Sequence, residues 1–303
     1  MIHFVEKRSL YFIIAGALIL LSIGALVAST VIYGAPLRLG IDFEGGSLMT
    51  LEFEESVTEV GIREVFEARG YDGAIIQRLG GGDGRLWQVR MKFATADEVQ
   101  AVLNALDESV GMVDRSNSNV DTVEPAVGAE VAQNAGVAVL VASLAVLVFI
   151  WFSFRGVPHS IRYGVASIAA MTVNVIVAIG FYALMGIIQG WEANALFLTA
   201  LLTVIGFSVQ DIIVVFDRIR ENIPRHRGEP FAMIVNRSVM ETIHRSLATQ
   251  LNAMFIMIAI LLFGGATIKP FIAVMLVGML SETFTSLFVA VPIVVVWEER
   301  TAA

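Results

Sequence analysis

Apolar residues gather into six long runs, at about Leu10–Tyr33, Val131–Phe154, Tyr163–Ile188, Leu196–Phe216, Leu247–Phe263 and Phe271–Trp297, with the basic stretch Asp217–Arg245 as the break between the fourth and fifth. The first holds about 24 residues, which as a helix would reach about 36 Å and so cross a hydrocarbon core of about 30 Å. Between the first two runs the pattern changes. Ser47–Glu54 alternates with period two, Val60–Arg69 has helical spacing, Gly73–Arg78 and Leu86–Phe93 read as strands, Thr95–Val110 as a helix and Val113–Val123 as a closing strand. That order is the order of a ferredoxin-like sandwich. The pattern therefore predicts a polytopic α-helical membrane protein of six transmembrane helices, with an inserted α+β ferredoxin-like domain between helices one and two. Residues 1–33 would hold the N-terminus and first helix, 34–125 the inserted domain, and 126–303 the other five helices with their loops.

Composition agrees: 56% of the 303 residues are hydrophobic and 16% charged, where soluble domains carry about 25% charged residues. There is no cysteine, which excludes disulfides, zinc-thiolate and iron–sulfur sites and thiol nucleophiles. Gly34–Glu130 has 18 acidic against 8 basic residues, a balance of −10, so the rest of a chain of net charge −8 carries +2. An acidic aqueous domain in a slightly basic apolar body argues against nucleic-acid binding.

The basic residues set an orientation. Lys7 and Arg8 precede helix one, Arg155 and Arg162 lie between helices two and three, and Arg218, Arg220, Arg225, Arg227 and Arg237 between four and five. By the positive-inside rule both termini are cytoplasmic and the large loop is exported, to the periplasm or the cell exterior. Trp151, Trp191 and Trp297 sit near span ends, as interfacial aromatics do. The first run exceeds the 7–15 residues usual for the core of a signal peptide, which favours a retained anchor. The glycine-rich stretch Gly80–Gly84 lacks the Lys-Ser/Thr of a phosphate loop and joins two strands, so it reads as a hairpin turn.

Charged residues inside the spans are the candidate chemistry. Asp211 stands in an apolar stretch of helix four, where an ionised carboxylate costs several kcal/mol unless paired, hydrated or protonated. Apolar residues follow it as far as Phe216, which weighs against an acid that simply reaches water. Thr242, Arg245, Thr249 and Asn252 form one stripe on helix five. Arg245 either neutralises Asp211, with Thr249 one turn deeper, or anchors the helix at the headgroups. Glu282 lies about a dozen residues into helix six, in the same ionisable network or at a polar helix contact. Asn174, Thr199, Thr203 and Gln210 read as helix–helix contacts. Asp217, Arg218, Arg220 and Glu221 read as a solvated, paired helix end. No HExxH or GxSxG occurs and the four histidines are scattered, so an enzyme is not expected, nor is any metal or cofactor.

Gly206–Asn222, GFSVQDIIVVFDRIREN, resembles the signature of the SecF subunits of the bacterial and archaeal protein-export machinery. The likeness includes GIDFEGG at Gly40–Gly46, with Asp42, Gly45 and Gly46, then Val127 and Gly128, the Asn236, Ser238, Thr242, Arg245, Thr249 pattern, and the region of Gly278 and Ser281–Ser286. Within the signature it takes in Gly206, Asp217 and Arg218. It implies an auxiliary translocase subunit of the resistance-nodulation-division superfamily, in the cytoplasmic (plasma) membrane. Such a subunit would pair with SecD, associate with the SecYEG translocon, act on a translocating preprotein and use the proton gradient. Asp211 would be the proton-carrying aspartate, with Arg245 and Thr249 as partners. The chain departs from the family pattern at Phe207, Gln210 and Ile212, at Gln250 in place of a usual Ser, and at Glu282 where a Gly is expected, so the proton route would be rewired or shared between Asp211 and Glu282. The same superfamily architecture also supports a rival class, a proton-coupled exporter of small molecules or lipids.

Overall fold

The computed structural model describes residues 7–79, 84–155, 160–265 and 267–302. They form two compact units: Leu39–Gly136, and Met1–Arg38 together with Val137–Ala303.

In the smaller unit a one-turn helix α2 (Ile41–Glu44) leads into β1 (Gly46–Glu52), followed by α3 (Glu59–Ala68), β2 (Ile75–Arg78), β3 (Leu86–Met91), α4 (Ala96–Ser109) and β4 (Asn119–Val123). The strands lie in the order β2-β3-β1-β4 with all neighbours antiparallel. This is the ferredoxin-like sheet that the alternation predicts. One sheet face, with Met49, Leu51, Trp87 and Val89, is buried against Ile62 and Phe66 of α3 and Val102 and Leu106 of α4. Thr58 caps α3 by accepting from the Gly61 N–H at 3.3 Å, and Thr95 with Glu98 makes a reciprocal capping box on α4.

The last strand is shorter than the expected Val113–Val123. Val113 makes an isolated bridge to Phe53, after which the Asp114 carboxylate accepts from the N–H groups of Ser116 and Asn117 and turns the chain before β4. Strands β2 and β3 pair antiparallel, but residues 80–83 of the expected hairpin turn lie outside the described residues.

The larger unit contains the membrane helices, with α5 shared between the units in sequence: α1 (Arg8–Tyr33), α5 (Pro125–Phe154), α6 (Ser160–Gln189), α7 (Ala195–Arg225), α8 (Phe231–Phe263), and α9 (Lys269–Thr285) continued by a π-helical turn (Ser286–Ala290) and α10 (Val291–Ala302). By length and hydropathy these make six candidate spans. The protein is a multi-pass membrane protein. The basic stretch Asp217–Arg245 is not the long break its charge suggests. Helix α7 runs on to Arg225 and α8 starts at Phe231, because the charges pair along the helices. Arg218 bonds Glu221 at 2.7 Å and Glu241 at 2.6 Å, Arg220 bonds Asp217 at 2.6 Å, and Asn222 bonds Ser238 at 3.0 Å.

Small residues let the helices approach. Ala15, Ser22 and Ser29, seven apart, are the buried positions of α1, which packs on α6; a Cβ on Gly180 would run into Ser22. Gly278 of α9 lies against Val204 of α7 in the same way. The π turn ends two residues before Pro292, which has no N–H and whose ring would clash with the carbonyl four residues back, that of Phe288 within the turn. Widening the helix there relieves both conflicts.

Candidate functional site

The deepest polar groups of the larger unit converge where α6, α7, α8 and α9 pack together. Asp211 of α7 is 5% exposed and Glu282 of α9 is 1% exposed. Gln250 of α8, 6% exposed, connects them: its Nε2 donates to Asp211 Oδ2 at 3.1 Å and to Glu282 Oε2. Among the described residues no Lys, Arg or His forms an ion pair with either acid. Glu282 lies one helical turn beyond Gly278, the point of close approach of α9 to α7, and this places its carboxyl against that helix.

Beside this trio lies a second buried cluster. Asn174 of α6, fully buried, donates from Nδ2 to Ser208 Oγ of α7 at 3.0 Å; its Oδ1 accepts from Ser281 Oγ at 2.7 Å and Thr285 Oγ1 at 2.8 Å, both on α9. The expectation of a helix–helix contact at Asn174 matches this arrangement. Three buried atoms at the acid site have no partner: Glu282 Oε1, Gln250 Oε1 and Ser246 Oγ. Ser246 and Gln250 are one turn apart on α8, so their side chains share a face.

The expected pairing of Arg245 and Thr249 with Asp211 is not what the structure shows. Both are exposed, and Thr249 Oγ1 donates to the Arg245 carbonyl at 3.0 Å. At about 100° per residue, Arg245 lies about 140° and Thr249 about 100° around α8 from Gln250, so only Gln250 can face the acids. Thr242 of the same stripe is buried, near the level where Asn222 and Ser238 bring α7 against α8; Asn252 further along is exposed. The polar stripe thus leaves its helix contact halfway. Gly206 and Gln210, on the exposed side of α7, also point away from the acids. Asp217 and Arg218 belong to the paired helix end described above. Sequence reasoning marked Gln250 only as a departure and missed Ser246. Their signal was a helical turn of polar side chains, Ser246 and Gln250, parallel to the stripe but rotated from it.

Asp42, Gly45 and Gly46 lie in the smaller unit. Gly45 has φ +76° and Gly46 φ +124°, backbone conformations that suit glycine. A Cβ on Gly45 would sit 2.5 Å from Pro125 Cα, one on Gly46 2.8 Å from the Met91 carbonyl oxygen, and one on Gly128 2.7 Å from the Gly45 nitrogen. These glycines let three stretches of backbone meet at the start of β1. Their place in the motif has a packing reason. Asp42 is half-buried on α2, in the first turn, where an acid suits the positive end of a helix.

Residues 102–300 match the family described as protein export membrane protein SecD/SecF, C-terminal, and residues 30–57 match the SecD/SecF GG motif. The chain is 39% identical over 303 residues to protein translocase subunit SecF of Thermobaculum terrenum, covering 94% of this chain and 92% of that one. It is 40% identical over 306 residues to protein translocase subunit SecF of Anaerolinea thermophila, covering 98% and 94%. The crystal structure of SecDF, a translocon-associated membrane protein from Thermus thermophilus, superposes with a TM-score of 0.82 at 30% identity. That match covers 99% of this chain and 39% of the longer SecDF chain.

Proposed function

This chain belongs to the SecD/SecF family of protein export membrane proteins, and on that premise we propose that it is an auxiliary subunit of the Sec preprotein translocase that couples the proton motive force to protein export. The single observation that carries the coupling is Asp211: a carboxyl group buried in an apolar helix, bonded by a neutral amide and by no basic side chain among the described residues. An acid so placed changes its charge more readily than one locked in an ion pair, and each charge state favours a different packing of α7, α8 and α9. One proton crossing 100 mV releases about 2.3 kcal/mol, so several must pass for each long segment exported. The chain acts as a translocase subunit rather than as an enzyme. The exporter reading gains no support from relatives named as translocase subunits.

The partner is a SecD, a reading supported by the similar Thermus thermophilus chain, which is named SecDF and of which this chain spans 39%. The exposed polar positions Arg245, Thr249 and Asn252 of α8, with Gln210 of α7, are positions that a second membrane subunit would cover. Arg245 and Thr249 then join the relay from that junction. Basic residues at alternate span ends support an orientation with both termini in the cytoplasm and the ferredoxin-like domain, residues 34–125, on the exported side, where it meets the preprotein emerging from the SecYEG translocon. The test is Asp211→Asn in the reconstituted translocase. Gradient-stimulated export is lost while assembly with SecD persists; export at the wild-type rate would remove Asp211 from the mechanism.

A further inference from the structure

Two of the departures from the family pattern, Gln250 and Glu282, are bonded to one another, and the unpartnered atoms of the site belong to the same two side chains. Gln250 Nε2 donates to Glu282 Oε2, while Gln250 Oε1 and Glu282 Oε1 are both buried with no donor. A carboxyl and a primary amide are planar groups of matching shape. Joined by one N–H···O bond, they can present their second oxygens to each other, where a proton on the carboxyl completes a ring of two hydrogen bonds. Without that proton, two acceptor oxygens are left buried without a donor, which is unfavourable.

The charges around the site point the same way. From α7 comes Asp211, from α8 Gln250 and Ser246, and from α6 the neutral Asn174. Among the described residues no basic side chain bonds either acid, so with both ionised the site would hold two negative charges sharing one NH₂ group. We infer that Glu282 carries a proton in this arrangement and forms a cyclic acid–amide pair with Gln250: Glu282 Oε1–H donates to Gln250 Oε1, Gln250 Nε2 donates to Glu282 Oε2, and the second Nε2 hydrogen goes to Asp211. Gln250 is then a positioning residue that links the two acids. When the proton leaves Glu282 as H⁺, Gln250 Oε1 loses its donor and the ring opens. This deepens the reading of the two acids as proton carriers, but its readout is the proton on Glu282 and not export.

The experiment is infrared spectroscopy of the full chain in lipid at neutral pH, with Glu carboxyl carbons isotopically labelled so that no substitution is needed to recognise a glutamic acid band. A protonated-carboxyl C=O band is expected that shifts with the Glu label, is lost in Glu282→Gln, persists in Asp211→Asn, moves to higher frequency in Gln250→Leu, and is unchanged by added sodium at fixed pH. Absence of a label-sensitive band, its survival in Glu282→Gln, or an unshifted band in Gln250→Leu would overturn the pairing. Loss of the band on adding sodium chloride would also overturn it, because a metal cation would then occupy the unpartnered oxygens. A missing band with export still abolished in Asp211→Asn would leave Asp211 as sole carrier. An intact band with normal export in Asp211→Asn would keep the pair and remove the coupling role of Asp211.

Discussion

Replacing Asn174 by Ala tests whether the buried polar cluster holds the bundle together. The side chain is fully buried and joins three helices through bonds of 3.0, 2.7 and 2.8 Å to Ser208, Ser281 and Thr285. Hydrogen bonds between membrane helices average about 0.6 kcal/mol and reach about 1.7, so three of them contribute about 2 kcal/mol. The hydroxyls left behind add little to the loss. Ser208 already donates to the Val204 carbonyl at 2.7 Å, and Thr285 can turn to the Glu282 carbonyl, now 3.3 Å away. Reversible unfolding of the purified chain in mixed micelles, followed by circular dichroism, should show Asn174→Ala less stable by about 2 kcal/mol. A Ser281→Ala, Thr285→Val double substitution should lose about 1 kcal/mol, and combining all three should cost less than the sum, since both sets break the same bonds. An Asn174→Ala protein within about 0.5 kcal/mol of the parent, or strict additivity of the two sets, would show that packing of small residues and not this cluster carries the α6–α7–α9 contact.

Gly45→Ala should destabilise the Leu39–Gly136 unit by about 2 kcal/mol or more, because the new methyl meets Pro125 backbone in a left-handed conformation; limited proteolysis of the full chain reports it as earlier cleavage of that unit. Arg218→Gln breaks a partly exposed pairing with Glu241 and Glu221 and should lower stability only slightly, a difference that fades in about 1 M salt. Asp107 gives a pH signature: burial pushes its carboxyl up, but the Val113 N–H at 2.8 Å and the Arg115 guanidinium at 2.5 Å outweigh this and hold it below the ordinary carboxylate range. A depressed acid stabilises above its unfolded value of about 3.9 and loses that contribution as pH falls through its folded value, so thermal unfolding of wild type and Asp107→Asn should differ at pH 7 and converge as the pH falls through that lowered value.

The fold was legible because its signals are long. Six apolar runs and one stretch of period-two alternation each average over many residues, and tertiary context cannot reverse them. The errors fall where a charge has two readings. The stretch Asp217–Arg245 read as a break between helices, but the pairing of Arg218, Arg220 and Glu221 carries α7 to Arg225; whether a charged stretch is loop or helix depends on partners three residues away and on the next helix. Val113 fell short of a continuous strand because Asp114 can bond the N–H groups that follow it, a local contact that alternation does not register.

The acid site was legible in part, and the division has a geometric cause. Spacing along a helix says which residues share a face but not which way the face turns, and an error of about 100° in rotation exchanges Thr249 for Gln250 as the residue nearest Asp211. An arginine at that distance from an acid invites the pairing, since charge is the stronger attraction. In the protein, however, Arg245 stands on the exposed side, and the neutral Gln250 with a second acid fills the interior. An ion pair there would hold Asp211 in one charge state, whereas a primary amide can donate to an ionised or a protonated carboxyl and keeps both states accessible. Two departures from the family pattern therefore belong together: Gln250 Nε2 donates to Glu282 as well as to Asp211, and Gln250 Oε1 and Glu282 Oε1 are the unpartnered atoms that a proton on Glu282 joins.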